Sequence, residues 1–323
     1  MPWTMEAQHE DAVAPPTSGG LSRRTVLGAL ALGLTRAAMG RDAAAAPAAL
    51  LARPIPATGE LLPAVGLGSW RTFDVGASAS ERAPLAEVLR RFVALGGRVI
   101  DTSPMYGAAE RVIGDLATAT GLRDSLFVAT KVWTSGREAG AAQLGRSLRD
   151  LQVARLDLAQ VHNLLDWRAH LTTLRRWKEA GRVRYVGVTH YAASAHDELE
   201  RVMRGEPLDF VQVNYSLAEP EADRRLLPLA RDRGVAVLVN RPFAEGALFR
   251  RVRGRRLPAW AGELGAASWG QLFLKWILGH PAVTCVIPAT SKPEHLVDNM
   301  GAGTGPVLDA AARERVAAAV AGA

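Results

Sequence analysis

From residue 53 onward, short apolar runs alternate with longer stretches in which apolar residues recur every three or four positions. The short runs do not alternate between apolar and polar residues, which is typical of strands buried on both faces of a parallel sheet. The longer stretches have the spacing of helices that pack one face against such a sheet. The predicted strands are residues 64–67, 98–101, 126–131, 156–161, 185–188, 210–213, 235–239 and 284–287. The predicted helices between them include residues 85–95, 144–151, 171–180, 226–233 and 271–278.

Eight strand–helix repeats predict the overall architecture, because eight parallel strands close into a (β/α)8 or TIM barrel. We therefore predict an α/β fold with a single barrel over residues 47–323. Residues 55–62, with Thr58-Gly59 at their centre, have the pattern of a short β-hairpin that closes the barrel floor. Residues 243–265 form an unusually long connection, which predicts an excursion loop before the last strand.

The alternative topology is an open, doubly wound sheet that binds a dinucleotide through a glycine-rich turn. Gly66-Leu67-Gly68 follows a predicted strand and has the start of that fingerprint. The third glycine is missing, because Arg71 stands in its place, and no predicted helix opens there. We therefore favour the barrel and expect these glycines to let the backbone approach a ligand closely.

The first 46 residues differ from the rest of the chain. The order is polar, then Ser22-Arg23-Arg24-Thr25-Val26-Leu27, then an apolar run over residues 26–34, then a small-residue tract over 43–49. Paired arginines before a short apolar run are typical of a twin-arginine export signal. The run is shorter than the roughly 20 residues of a membrane-spanning helix. We predict that residues 1–46 are an export signal and flexible leader, read by the twin-arginine machinery, and that the protein is periplasmic or otherwise exported; without use of the signal it is cytoplasmic.

Composition excludes several classes of protein. The 323 residues contain one cysteine, Cys285, which excludes an intramolecular disulfide framework and a cysteine-based metal cage. The net charge of +7 comes almost wholly from scattered arginines, since only four residues are lysines. Residues 1–46 carry four arginines and four acidic residues, so the charge stays at +7 without them. A diffuse excess of this kind argues against a nucleic-acid surface. The seven histidines lack the paired spacing of a metal-dependent hydrolase, so no metal is expected.

Four titratable residues lie at the carboxyl ends of predicted strands, where barrels of this kind carry their chemistry. Asp101 ends the second strand, Tyr106 lies in the next loop, Lys131 ends the third strand and His162 the fourth. An ammonium at Lys131 lowers the pKa of a nearby phenol, and Asp101 supplies the counter-charge that a buried lysine needs. A neutral imidazole at His162 orients a carbonyl oxygen. The set suits protonation of a carbonyl oxygen while a cofactor delivers hydride to its carbon, because no side chain supplies hydride.

The motifs around these four residues resemble those of the aldo-keto reductase family. Residues 99–107, with Asp101-Thr102 and Tyr106-Gly107, resemble the family's Asp-Thr-x-x-x-Tyr-Gly signature. Five further segments resemble family loops in the same order, namely Gly66-Leu67-Gly68-Ser69-Trp70, Ala129-Thr130-Lys131-Val132-Trp133, Gln160-Val161-His162-Asn163, Gly187-Val188-Thr189-His190 and Ile287-Pro288-Ala289-Thr290. The resemblance implies that Tyr106 is the proton donor, that Lys131 and Asp101 tune it, and that His162 positions the substrate.

The resemblance also implies a nicotinamide dinucleotide that lies across the barrel mouth. The cofactor-binding residues carried over are Ser69, Asp101, Thr189, His190, Gln212, Arg241, Thr290, Ser291, Lys292, His295 and Asn299. Ser69 and Asp101 match contacts to the nicotinamide ribose region; Thr189, His190 and Gln212 match those to its carboxamide. Two positions depart from the family, because His190 replaces the usual Asn and Asn240 replaces the Tyr that stacks on the nicotinamide. His295 stands where the family often has Arg, and Lys292 beside a helix start favours NADP(H) over NAD(H).

The expected activity is NADPH-dependent reduction of an aldehyde or ketone to an alcohol, with Tyr106 as general acid. Trp70 and Trp133 are expected to line the substrate pocket as flat apolar walls. The alternative function is a reductase-like barrel that binds the nicotinamide dinucleotide as a redox sensor with little turnover, which the missing stacking Tyr favours.

Overall fold

The computed structural model describes residues 49–322, and the predicted export segment lies outside them. The described chain opens with an antiparallel pair, β1 (Ala52–Pro54) and β2 (Leu61–Pro63). Eight parallel strands follow, each paired with the next: β3 (Leu67–Gly68), β4 (Val99–Asp101), β5 (Phe127–Val132), β6 (Leu156–His162), β7 (Val183–His190), β8 (Phe210–Asn214), β9 (Ala236–Asn240) and β10 (Cys285–Val286). Parallel bridges from Val65 to Val286 and from Gly68 to Ala289 join the first of these strands to the last. The sheet is a closed (β/α)8 barrel, as the hydrophobic pattern predicts.

Helices connect successive strands and cover the outside of the barrel. Their bounds are α1 (Ala79–Ala94), α2 (Ala109–Ala119), α3 (Arg137–Asp150), α4 (Trp167–Glu179), α5 (His196–Gly205), α6 (Leu226–Asp232), α7 (Ala247–Arg251), α8 (Trp269–Leu278), α9 (Pro293–Gly301) and α10 (Ala310–Ala321). The excursion predicted over residues 243–265 contains α7 and short 3-10 turns. Within residues 49–322, none of the helices has the length and apolar character needed to cross a membrane.

Local chemistry explains where several helices begin. Ser78 and Ser268 accept hydrogen bonds from the backbone N–H groups of Glu81 and Gln271, and so cap the first turns of α1 and α8. Helix α9 begins with Pro293, whose missing N–H leaves no helical bond unmade at that position.

The barrel interior is filled at its lower end by apolar side chains from every strand from β4 to β10 and from the hairpin. Ile55 and Leu62, on either side of the β1–β2 turn, are fully buried in this cluster. The cluster also contains Val99, Phe127, Ala129, Leu158, Tyr185, Phe210, Ala236, Leu238, Cys285 and Ile287. Tyr185 Oη lies 2.8 Å from Thr58 Oγ1 in the hairpin turn. The hairpin therefore closes the floor of the barrel, opposite the carboxyl ends of its strands.

The glycines at the start of β3 serve the closure of the barrel. A Cβ atom at Gly66 would lie 2.9 Å from Val99 O, and one at Gly68 would lie 2.8 Å from Ile287 O. These are backbone atoms of the neighbouring strands, and they cannot move aside. The expectation that the two glycines make room for a ligand is therefore wrong at Gly66, whereas Gly68 both packs against the β10 segment and lines the cavity described below.

Candidate active site

The alternation of side chains along each strand sets which residues enter the barrel. In β5, Phe127 and Ala129 belong to the interior cluster, so Lys131 is the next residue to point inward. The same rule turns His162 inward at the end of β6 and Asn240 inward at the end of β9. Most inward positions near the upper end of β4 to β9 are polar: Asp101, Lys131, Gln160, His162, Thr189, Gln212 and Asn240. A polar layer therefore covers the apolar one at the carboxyl ends of the strands.

Asp101 and Lys131 form a buried ion pair at the centre of this layer. Lys131 Nζ lies 2.6 Å from Asp101 Oδ2 and also donates to Thr102 O at 2.8 Å. Burial alone would lower the pKa of Lys131, but Asp101 and Tyr106 together raise it above its ordinary value. The other oxygen of Asp101 accepts from Gln212 Nε2 at 2.8 Å and from Gln160 Nε2 at 3.3 Å. The lysine is therefore held charged and fixed in position.

Tyr106 lies beside this pair. Lys131 Nζ is 5.1 Å from the centre of its ring. Burial raises the pKa of Tyr106, the Lys131 ammonium opposes that rise and the Asp101 carboxylate adds to it. The sequence predicts a lowered pKa, and the sign is wrong because desolvation of a buried phenolate outweighs the charge of the lysine. The phenol consequently keeps its proton at neutral pH, with a cation beside it.

His162 completes the cluster on the far side of Tyr106. Its ring centre lies 5.8 Å from that of Tyr106, edge to face, and its Nδ1 lies 3.0 Å from Ser103 Oγ. Burial, assisted by the charge of Lys131 and by His190, lowers the pKa of His162 to about 2. The imidazole is therefore neutral at physiological pH. A proton from the Ser103 hydroxyl to Nδ1 leaves the ring proton on Nε2, where it is available to an oxygen atom of a substrate.

A cavity of ≈ 720 Å³ opens above Asp101, Tyr106 and His162. Trp70 and Trp133 line it and are 39% and 41% exposed, so both indoles are available to a ligand. Phe243 joins this lining, whereas Phe73 is fully buried in the core. The volume and the apolar walls suit an organic ligand with a few polar groups.

All but one of the expected nicotinamide-binding residues line this cavity. Ser69 is buried, and its hydroxyl donates to Asp101 O at 2.9 Å. Thr189 and Gln212 both line the cavity, and Thr189 Oγ1 donates to Gln212 Oε1 at 3.1 Å. His190 does not line it: its Nδ1 accepts from Ala192 N, and its ring stacks against Tyr191 at 5.3 Å. Arg241 lines the cavity and pairs with Glu219 and Glu245 at 3.0 and 2.9 Å.

The residues expected at the adenosine end lie apart from this cavity, at the start of α9. Thr290 Oγ1 accepts from Lys292 N at 3.0 Å and so shapes the turn that precedes the helix. Ser291, Lys292 and His295 are exposed around the first turn of α9, and Asn299 is buried further along it. Free backbone N–H groups and a lysine at a helix start suit an anionic group.

A comparison with protein families decides the classification of the chain. The model of the aldo/keto reductase family matches residues 64–321. This chain belongs to the aldo/keto reductase family. It is an oxidoreductase, as the four strand-end residues predict.

Individual relatives agree with this placement. The reductase is 30% identical over 247 residues to the methylglyoxal reductase YeaE of Escherichia coli, covering 74% of this chain and 84% of that protein. It is 27% identical to the aldo-keto reductase yakc of Schizosaccharomyces pombe, whose name specifies NADP(+), over 79% of this chain and 88% of that one. Its fold is similar to that of an aldo/keto reductase from Klebsiella pneumoniae solved with NADP and acetate, with a TM-score of 0.67, 26% identity, and coverage of 81% and 93% of the two chains.

Three residues of the reductase's site are not among those predicted from sequence. Ser103 contacts His162, Gln160 contacts Asp101, and Tyr191 lines the cavity with half of its surface exposed. Ser103 and Gln160 lie inside the quoted motifs, two positions from Asp101 and His162 respectively. Period-two alternation turns Gln160 to the same face as His162, which is the signal that would have found it.

Proposed function

We propose that this reductase transfers hydride from NADPH to the carbonyl carbon of an aldehyde or ketone, with Tyr106 as the general acid. The convergence of Asp101, Lys131, Tyr106 and His162 at the base of one apolar cavity carries this proposal. The relatives support it, because one is named a methylglyoxal reductase and others were solved with NADP or NADPH.

The protein side of the reaction follows from the properties of the four residues. His162 Nε2–H holds the carbonyl oxygen of the substrate close to the Tyr106 hydroxyl. The nucleotide, when bound, supplies the hydride. As negative charge develops on the carbonyl oxygen, Tyr106 gives up its proton to that oxygen, and the Lys131 ammonium stabilises the phenolate that remains. Asp101 keeps Lys131 in place and charged, and the tryptophans exclude water from the reacting carbonyl.

The residues of the cavity and of the start of α9 fit a phosphorylated nicotinamide dinucleotide. The cavity is large, it contains an unpartnered amide oxygen at Asn240, and the start of α9 presents Lys292 and His295 beyond it. Lys292 and His295 are suited to the 2′-phosphate that distinguishes NADP(H) from NAD(H), and Ser291, Thr290 and Asn299 to the adenosine end. Ser69, Thr189, Gln212 and Arg241 are assigned to the nicotinamide half, whereas His190, expected there from the sequence, lies outside the cavity lining.

Replacement of Tyr106 by Phe tests the proposal. The change removes the proton donor and keeps the ring, so we expect kcat for aldehyde reduction to fall at least about 100-fold. The dissociation constant for NADPH, measured by nucleotide fluorescence, stays within about twofold. Tyr185→Phe, which removes a phenol at the barrel floor, is the matched control and keeps its turnover. Wild-type turnover in the Tyr106→Phe protein would overturn the assignment.

A redox sensor with little turnover is the second candidate, and Asn240 is the observation that favours it. An amide in place of the stacking Tyr offers no ring to hold the nicotinamide face. Purified protein mixed with NADPH and a panel of aldehydes, methylglyoxal among them, separates the two functions. Steady loss of absorbance supports the reductase, whereas tight NADPH binding without loss supports the sensor.

We further propose that residues 1–46 direct export through the twin-arginine machinery and that the nucleotide is loaded beforehand. The paired Arg23-Arg24 ahead of a short apolar run supports the export route. The route accepts folded proteins, which makes it compatible with a bound nucleotide.

A further inference from the structure

The amide of Asn240 has a fixed orientation at the wall of the cavity. Its Nδ2 donates to His190 O and to Gln212 Oε1, both at 3.4 Å. Gln212 is itself oriented, because its Nε2 donates to the Asp101 carboxylate, which only accepts. The Asp101 carboxylate therefore sets the direction of Gln212, and Gln212 sets that of Asn240.

This chain of amides leaves one acceptor without a partner. Asn240 Oδ1 is buried and has no hydrogen-bond partner among residues 49–322. The residue lines the cavity on the same side as Thr189 and Gln212. An unpartnered buried oxygen has lost its hydrogen bonds to water, so a ligand that donates a hydrogen bond there gains affinity by satisfying it.

Three other polar side chains of the cavity are weaker candidates to accept a hydrogen bond from a ligand. Thr189 Oγ1 already donates to Gln212 Oε1, and Gln212 Oε1 also accepts from Asn240 Nδ2. Gln212 Nε2 donates to Asp101. Asn163 Oδ1 is also unpartnered in this part of the chain and lines the same cavity, but no hydrogen bond from its own amide fixes its direction. Of Asn240 and Asn163, it is therefore Asn240 whose acceptor oxygen is held in a fixed direction.

We propose that Asn240 Oδ1 accepts a hydrogen bond from the carboxamide NH2 of the bound nicotinamide. The inference rests on the proposed function and deepens it, since it names a residue that recognises the carboxamide. A Tyr at this position would contact the face of the nicotinamide ring, whereas Asn240 contacts the carboxamide attached to that ring. The position lacks the affinity that a stacked ring would give, and it instead gives selectivity for a ligand that carries an amide N–H.

The test compares two nucleotides that differ in that N–H group. NADP+ carries a carboxamide, whereas its 3-acetylpyridine analogue keeps the carbonyl and replaces NH2 by a methyl group. We expect the wild-type protein to bind NADP+ about five- to tenfold more tightly than the analogue, which is the size of one hydrogen bond. Isothermal titration calorimetry on the full protein gives both dissociation constants without any turnover.

The Asn240→Leu protein is the decisive variant. Its affinity for NADP+ falls to that for the analogue, while its affinity for the analogue stays near the wild-type value and reports an intact fold. Asn163→Leu, the matched control, keeps the wild-type ratio. Asn240→Tyr restores a ring, so it tightens binding of both nucleotides and still loses the ratio.

Two outcomes overturn the inference, and they differ from each other. An unchanged NADP+ to analogue ratio in Asn240→Leu contradicts the role of Asn240 and leaves the proposed function standing. A wild-type protein that binds neither nucleotide contradicts the proposed function itself, and this inference with it.

Discussion

Single contacts decide the chemistry of His162. Its pKa of about 2 keeps it neutral, so its use depends on which ring nitrogen carries the proton. Ser103 Oγ accepts from Met105 N at 3.3 Å, which leaves the hydroxyl proton free to donate to His162 Nδ1. A Ser103 hydroxyl that donates to Nδ1 places the ring proton on Nε2, although Ser103 touches no reacting atom. We regard it as a positioning residue.

Loss of this hydroxyl should weaken substrate orientation. In Ser103→Ala the imidazole no longer prefers one tautomer, and we expect kcat/KM for the carbonyl to fall about five- to tenfold. Affinity for NADPH stays unchanged, because Ser103 does not line the cavity. Ser147→Ala, which removes another buried hydroxyl away from the site, serves as the control in steady-state kinetics. Equal kcat/KM in Ser103→Ala and wild type would show that the contact has no part in positioning.

At the scale of elements, a buried carboxyl joins α2 and α3 to the barrel wall. Glu110 in α2 accepts from Thr130 Oγ1 in β5 and from Ser147 Oγ in α3 at 3.0 Å. Lys131 points into the barrel, so its neighbour Thr130 points outward to meet the helix. Burial raises the pKa of Glu110 from 4.5 to about 7, and the two hydroxyl bonds oppose the shift.

The raised pKa gives a stability that depends on pH with a known sign. Folded protein holds the Glu110 proton up to about pH 7 and unfolded protein releases it near pH 4.5, so Glu110 destabilises the fold progressively across that window. Between pH 4.5 and 7, the unfolding free energy of the wild type should fall by on the order of 3 kcal/mol relative to that of Glu110→Gln. Urea titrations at several pH values measure it. A pH-independent difference would contradict the raised pKa.

Residues at the start of α9 are expected to set the preference for NADPH over NADH. Lys292 is exposed there beside the free N–H groups of the first helical turn. We expect Lys292→Ala to raise KM for NADPH at least about tenfold and to leave KM for NADH unchanged, because only NADPH carries the 2′-phosphate. Lys178→Ala removes an exposed lysine paired with Asp209 at 2.6 Å and is the control. A parallel rise in KM for both nucleotides would argue against a phosphate contact.

The sequence pattern predicts the strands of this fold better than its helices and side-chain contacts. Apolar runs located all eight barrel strands, although β3 is two residues long because its upstream part meets β10 only through a bridge at Val65. Strand ends then placed Asp101, Lys131 and His162 near one another. Helices α2, α5, α7 and α10 are not among the predicted helices, although Val112, Ile113 and Leu116 of α2 have the apolar spacing of a buried face. The contacts of Ser103 and Asn240 depend on the register of the barrel, which a local pattern does not contain.

At the scale of the whole molecule, the candidate site exists only in the closed barrel. Its residues come from strands β3 to β9 and from the loops that follow the strands, the one after β10 included. The seam between β3 and β10 brings the first and last barrel strands together. A nucleotide that spans this mouth therefore requires the complete fold. Export of a loaded reductase in turn requires a route that accepts folded protein. If the proposed export signal is used, these two requirements connect the proposed chemistry with its paired arginines, Arg23 and Arg24.

Replacement of Arg23 and Arg24 by lysines tests this connection. We expect the wild-type protein to appear outside the cytoplasm, shortened by its leader and with NADP(H) bound, because nucleotide loading accompanies folding before export. The double lysine variant keeps the charge but loses the twin-arginine feature, so it should stay in the cytoplasm at full length. Replacement of Arg250 and Arg251 by lysines alters an equivalent pair on α7 and should leave export unchanged. Cell fractionation, immunoblotting and analysis of the released nucleotide give the three readouts. Full-length wild-type protein confined to the cytoplasm would contradict export, whereas exported protein free of nucleotide would contradict only prior loading.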